Sequence, residues 1–148
     1  MLMSTDGQLS GCVSGGCLEK AVYNQARRVL HTGTFKVVAF DSRSDEDMAF
    51  GLGCNGMVEI LIEPLGESPD HIALLSECVE QCKSAVLATV FAVNGQIPIN
   101  IGDRLTIRES GGISSNITSE SFRDALVGNA QRVLCSASQS ILYEMPGG

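Results

Sequence analysis

The sequence predicts an α+β fold: a mixed β-sheet with packed helices, built from two related strand, hairpin and helix units. Three observations carry that expectation. Apolar residues recur at spacings of three and four in three stretches, near 18–30, 72–82 and 120–134, which is the period of a helix with one buried face. Between them lie short apolar runs closed by Gly, Pro or Asn-Gly, the punctuation of strands and tight turns. Residues 1–30 also lie over residues 105–134 without a gap.

Taken in order, Met1-Leu2-Met3 and Leu9 to Val13 flank Thr5-Asp6-Gly7, and Asp-Gly between apolar runs predicts a hairpin. After Ser14-Gly15-Gly16, Leu18, Ala21, Val22, Ala26, Val29 and Leu30 form a helical stripe that should face a sheet, with Gly33 as the stop. Phe35 to Phe40 reads as a strand. Ser44-Asp45-Glu46-Asp47 has the form of a capping box and predicts a short helix ending before Gly51. Met57 to Glu63 predicts a strand stopped by Pro64. Ser68-Pro69 supplies a cap and a first-turn proline for a helix to about Lys83, with Ile72, Leu75, Cys78, Val79 and Cys82 on its buried face. Ala85 to Val93 is apolar throughout and is expected to be a central strand, with a turn at Asn94-Gly95. A second hairpin, a helix from about Glu120 to Leu134 and a last strand near Ile141 to Glu144 complete the chain.

In the overlay of 1–30 on 105–134, Gly7 meets Gly111, Ala21 meets Ala125, Ala26 meets Ala130, and Arg28-Val29-Leu30 meets Arg132-Val133-Leu134. Both segments therefore ask for the same hairpin, loop and helix. The repeat units extend over about 1–63 and 85–144. Only the second has a strand before its hairpin, so an edge in the first is expected to lack a neighbour, which favours a homodimer formed by strand pairing.

Of 148 residues, 44% are hydrophobic and 18% charged, so the chain has the means to bury a core. Ten Lys and Arg against 17 Asp and Glu give a net charge of −7, and no basic run is present to neutralise successive phosphates, which argues against nucleic acid. The longest apolar run, 85–93, is far short of the roughly 20 residues that span a bilayer. No membrane association and a cytoplasmic location are the expectation. The six cysteines, at 12, 17, 54, 78, 82 and 135, are then expected to be reduced. Cys78, Cys82 and Cys135 stand in apolar-periodic stretches, where cysteine usually fills a core.

The two repeats differ most where chemistry would be placed. Cys12-Val13-Ser14-Gly15-Gly16-Cys17-Leu18-Glu19 in the first stands against Asn116-Ile117-Thr118-Ser119-Glu120-Ser121-Phe122-Arg123 in the second. Two glycines before a helix let backbone N–H groups approach an anion, and the positive helix end favours a thiolate at Cys17. The alternative is a tight turn with a helix cap and a buried cysteine. Gly51-Leu52-Gly53-Cys54-Asn55-Gly56 is a second thiol-bearing glycine loop able to converge on the first. The cysteines lack paired C-x-x-C spacing, and His31 and His71 have no ligand spacing to them, so a structural zinc site is not expected. The acids Asp45, Glu46 and Asp47, and the strand pair Glu59 and Glu63, read as solvated faces.

Ser14-Gly15-Gly16-Cys17-Leu18-Glu19, the helix to Gly33, Asp41, Ser44-Asp45-Glu46-Asp47, Gly51-Leu52-Gly53-Cys54 and Glu63-Pro64-Leu65 together resemble the N-terminal domain of the XdhC/CoxI family, accessory factors of xanthine dehydrogenase and carbon monoxide dehydrogenase. The resemblance implies one such domain over 1–145, with Pro146-Gly147-Gly148 starting a linker. It implies a chaperone without turnover of its own, which binds the molybdenum cofactor (molybdopterin), helps it gain its terminal sulfur and passes it to a molybdenum hydroxylase. A cysteine desulfurase is a further partner it suggests. Ser14, Gly15, Gly16, Cys17, Gly53, Cys54, Asn55 and Gly56 would contact the cofactor, with the thiols of Cys17 and Cys54 nearest the molybdenum and Cys12 a third candidate. Lys20, Arg27 and Arg28 would add positive charge.

The family's usual Cys-Gly-Gly is Cys54-Asn55-Gly56 here. An upstream Arg-Pro-Gly segment and a C-terminal Rossmann-like domain, usual in the family, are not among the 148 residues, as expected of a partial chain or a shortened relative. Two other classes of function fit the residues. One is a cofactor-free interaction module for the dehydrogenase or desulfurase, and the other is a thiol redox protein using Cys12 and Cys17.

Overall fold

A computed structural model describes residues 1–41, 57–66, 70–136 and 144. The expected helix at Ser44 to Asp47, the loop from Gly51 to Gly56, the Ser68-Pro69 cap, most of the strand near Ile141 to Glu144 and the tail from Pro146 lie outside the described residues. The fold is α+β. It divides into two compact units, Met1–Pro64 and Leu65–Gly148, each with its own apolar cluster.

In the first unit β1 (Leu2–Met3) and β2 (Leu9–Ser10) form a hairpin, α1 spans Glu19–Thr32, and β3 (Lys36–Asp41) pairs antiparallel with β4 (Met57–Ile62). Alternation decides which strand face is buried. Val38, Phe40, Ile60 and Ile62 share one side and pack with Leu18, Ala21, Val22, Ala26 and Val29 of the α1 stripe. Glu59 is exposed on the opposite face. Gly33 ends α1 with φ +66, its N–H donating to Val29 O at 2.8 Å. The anticipated stop is present, and so is the stripe except for Leu30, which is exposed and lies outside the packed cluster.

In the second unit α2 spans Asp70–Gln81, followed by β5 (Ala85–Thr89), β6 (Arg104–Arg108), β7 (Ile113–Ser115) and α3 (Glu120–Leu134). The three strands form one antiparallel sheet in the order β5-β6-β7. All strand pairings among the described residues are antiparallel and fall into three small sheets. The strand expected at the centre, β5, instead has β6 as its single neighbour among the described residues, and its residues are all half-buried. Its partner β6 is the central one, with Leu105 and Ile107 buried against α3 and Thr106 buried on the opposite face of the sheet. An all-apolar run does not by itself distinguish a central strand from an edge strand covered by a helix.

Helix α2 turns a different face inward from the one its apolar period suggested. Leu74 is buried, while Ile72, Leu75 and Val79 are exposed, Val79 to 79%. Two polar contacts accompany this orientation. His71 Nδ1 lies 3.4 Å from Arg104 Nη1, and Glu77 pairs with Arg108 at 3.5 Å, so the row 71, 74, 77 and 78 faces the sheet. Cys82 and Cys135 are exposed rather than core-filling, because α2 and α3 end just before them, while Cys78 is half-buried.

The two hairpins share a register at an offset of 104 residues. Leu2 faces Ser10 and Met3 faces Leu9 in one; Thr106 faces Ser114 and Ile107 faces Ile113 in the other. Gly7 and Gly111 both have φ +88, and their N–H groups donate to Ser4 O at 3.0 Å and Arg108 O at 2.9 Å. The copies part company at the helix start. Helix α3 begins at Glu120, the counterpart of Gly16, whereas α1 begins three residues later at Glu19. Each glycine costs about 1 kcal/mol in a helix, so Gly15-Gly16 leaves a loop where the second copy builds a turn.

Candidate functional site

The loop from Val13 to Leu18 is organised by one carboxylate. Glu19 Oε1 accepts the backbone N–H of Ser14 at 2.8 Å and of Val13 at 3.2 Å, and Glu19 Oε2 accepts the Ser14 hydroxyl at 2.7 Å. The Ser14 Oγ in turn accepts the N–H groups of Leu18 at 3.1 Å and Gly16 at 3.3 Å. A hydroxyl acting as donor and double acceptor thus joins the carboxylate to the start of α1. Hydrogen bonds stabilise the charged form, and those from the Ser14 hydroxyl and then the Ser14 N–H hold the Glu19 carboxyl down from 4.5 to about 2.

The anion at this helix start is therefore the protein's own. The glycine pattern points to an external phosphate at the loop N–H groups, but those of Val13, Ser14, Gly16 and Leu18 already have acceptors in Glu19 and Ser14. Glu19 is the residue that sequence reasoning missed. Its signal was present as a serine followed five residues later by a glutamate at a helix start, a wider relative of the capping box.

The loop presents a thiol outward. Cys17 is exposed, as is Cys12, so the buried-cysteine alternative does not apply. Gly16 has φ +114, a conformation that side-chain-bearing residues rarely adopt. Among the described residues a Cβ at Gly15 or Gly16 would meet nothing within 4 Å, so the backbone at these two glycines is open. An exposed thiol on a fixed loop is chemically suited to a soft metal or to sulfur exchange. Gly53, Cys54, Asn55 and Gly56 lie outside the described residues, so the expected meeting of Cys17 and Cys54 concerns a residue with no described position. Among the described residues no group of three or more His, Cys, Asp or Glu is arranged to hold a metal ion, and no helix is long and apolar enough to cross a membrane.

A second feature lies along the same helix. A cleft of about 1130 Å³ separates the turn of the β1–β2 hairpin from the C-terminal half of α1, and Tyr23, Arg27, Arg28 and His31 line its helical side. Tyr23 Oη would stand 3.0 Å from a Cβ at Gly7, so the glycine lets the turn seat against the phenol.

The sequence is 28% identical over 114 residues to a protein of Bacillus subtilis (strain 168) described as a probable xanthine dehydrogenase subunit. That similarity takes in 75% of this chain and 32% of the relative, so the chain spans about a third of the relative's length. The XdhC and CoxI family model matches residues 1–41 and 78–144, and each matched segment contains one hairpin, loop and helix copy. With more than half of its residues matched, the chain belongs to the XdhC and CoxI family.

Proposed function

We propose that this chain is an accessory segment that carries the molybdenum cofactor during maturation of a xanthine dehydrogenase-type molybdenum hydroxylase. The observation that supports it is the exposed Cys17 thiol on a glycine loop fixed by Glu19 and Ser14, in a chain of the XdhC and CoxI family. The cofactor is cargo here. Cys17, and Cys54 from the second glycine loop, would meet its molybdenum or relay its sulfur, and Ser14, Gly15 and Gly16 would shape the surface beside the thiol. The open space over Gly15 and Gly16 suits a flat guest lying on backbone. The dehydrogenase partner is inferred from the name of the Bacillus subtilis relative.

One observation favours a second reading, in which the loop docks against the dehydrogenase with no cofactor of its own. The N–H groups of Val13, Ser14, Gly16 and Leu18, which would otherwise be open to a cargo phosphate, are occupied by Glu19 and Ser14. Titration with molybdenum cofactor, followed by the cofactor's absorbance and by size-exclusion chromatography, separates the two. Saturable binding that is lost in the Cys17→Ala, Cys54→Ala double variant supports the carrier reading. Unchanged affinity in that variant removes the assigned site, and capture of the dehydrogenase without bound molybdenum supports docking.

A further inference from the structure

We infer that the cleft between the β1–β2 turn and the C-terminal half of α1 is a binding site for the phosphate group of a small phosphate monoester. This site is separate from the thiol loop. Arg27 is eight residues along α1 from Glu19, about 12 Å at helical rise, and the inference stands whether or not the carrier reading holds.

The chain has a net charge of −7, yet Arg27, Arg28 and His31 gather on one wall of the cleft. Among the described residues neither Arg27 nor Arg28 pairs with a carboxylate. The single acid lining the cleft is Asp6, and its oxygens go to the Ser4 hydroxyl and to the side-chain amide of Gln8, at 3.0 Å for the latter. Two guanidinium groups without an internal counter-charge suit a tetrahedral oxyanion, which they bind through charge-assisted, bidentate hydrogen bonds.

The second copy supplies an internal comparison. Its hairpin has the same register, but Arg27 and His31 are replaced by Gln131 and Cys135. The counterpart of Arg28, Arg132, folds back on its own helix, donating to Gly128 O at 3.3 Å and to Asn129 Oδ1 at 2.8 Å. The scaffold is common to both and the cationic wall belongs to the first, so the fold alone does not require those charges. Met3, Tyr23 and Leu30 in the lining give an organic body attached to the phosphate apolar contact.

The test is titration of the intact chain with inorganic phosphate and with phenyl phosphate, at ionic strength held constant with sodium chloride. Amide signals of Gly7 and side-chain signals of Arg27 and Arg28 are followed by NMR. Saturable shifts confined to the cleft are expected, with phenyl phosphate binding more tightly than inorganic phosphate. Arg27→Ala and Arg28→Ala should each weaken binding roughly tenfold, while Arg132→Ala leaves it unchanged. Both arginines are exposed, so circular dichroism of the variants should match the parent, and Arg27→Lys should bind less well than the parent despite its retained charge. Shifts no different from those with chloride, binding that survives the double substitution, or saturation by an acidic peptide with no response to phosphate would each overturn the assignment. Equal affinity for the two phosphates would overturn the monoester part of it.

Discussion

The Glu19 carboxylate and the Ser14 side chain are joined at 2.7 Å across a glycine loop that precedes α1, and the Ser14 N–H adds a second bond at 2.8 Å. This pair closes the loop back onto the helix. Because the carboxyl is held down to about 2 from 4.5, the folded loop favours the charged form, and its contribution is present above the unfolded value and lost as pH falls from about 4.5 through about 2. The side-chain carboxyl signal of Glu19 should titrate near 2 by NMR, and amide protection at Val13 and Ser14 should fall with it. Glu19→Gln should show the weakened protection already at about pH 7. A titration near 4.5 with unchanged protection would mean that the pair does not order the loop.

The two loop glycines should answer differently to substitution. Gly16 has φ +114, so Gly16→Ala forces an alanine into a strained conformation and should destabilise the first unit by about 1 kcal/mol or more in urea unfolding. Gly15 has no positive φ and open space around it. Gly15→Ala should therefore be within about 0.5 kcal/mol of the parent. If the loop is the cargo surface, Gly15→Ala is also the cleaner probe, because it changes the surface without distorting the backbone.

Much of this fold was legible because local chemistry and tertiary packing agreed. Gly33 and Gly7 named a helix stop and a hairpin turn, and both occur with positive φ where expected. The β1–β2 and β6–β7 hairpins pair in the same register at an offset of 104 residues. Legibility failed where the buried face departs from the apolar period. The stripe Ile72, Leu75, Val79 is the stronger pattern in α2, but the face that meets the sheet carries Leu74 together with His71 and Glu77, which contact Arg104 and Arg108 of β6. At the candidate site, the thiol and the glycines were visible from spacing alone. That the loop's anion is supplied by Glu19 required geometry, since a carboxylate in a first helical turn usually reads only as favourable to the dipole.

The orientation of α2 leads to a direct contrast. Leu74 is 2% exposed and Val79 is 79% exposed. Leu74→Ala should cost about 2 to 4 kcal/mol through lost burial and the cavity it leaves. Val79→Ala should stay within about 0.5 kcal/mol, since a surface change away from special features does little. Urea denaturation of the two variants measures both. Equal losses would restore the apolar stripe as the buried face.

Cys82 closes α2 in a conformation that a glycine would adopt more easily. Its φ is +51, and the next residue, Lys83, donates its N–H to Cys78 O at 3.1 Å, the long bond of a Schellman motif. A non-glycine residue there is strained by roughly 1 kcal/mol. Cys82→Gly removes the strain and adds backbone freedom to the unfolded chain, two effects of opposite sign and similar size. The conformation is already glycine-like, so relief of strain should exceed the entropy term, and Cys82→Gly should raise stability by up to about 1 kcal/mol. Cys82→Ala keeps the strain and should gain nothing, which makes the difference between the two variants the measurement. A Cys82→Gly variant less stable than Cys82→Ala in urea would show that the thiol, and not the backbone, determines how this helix ends.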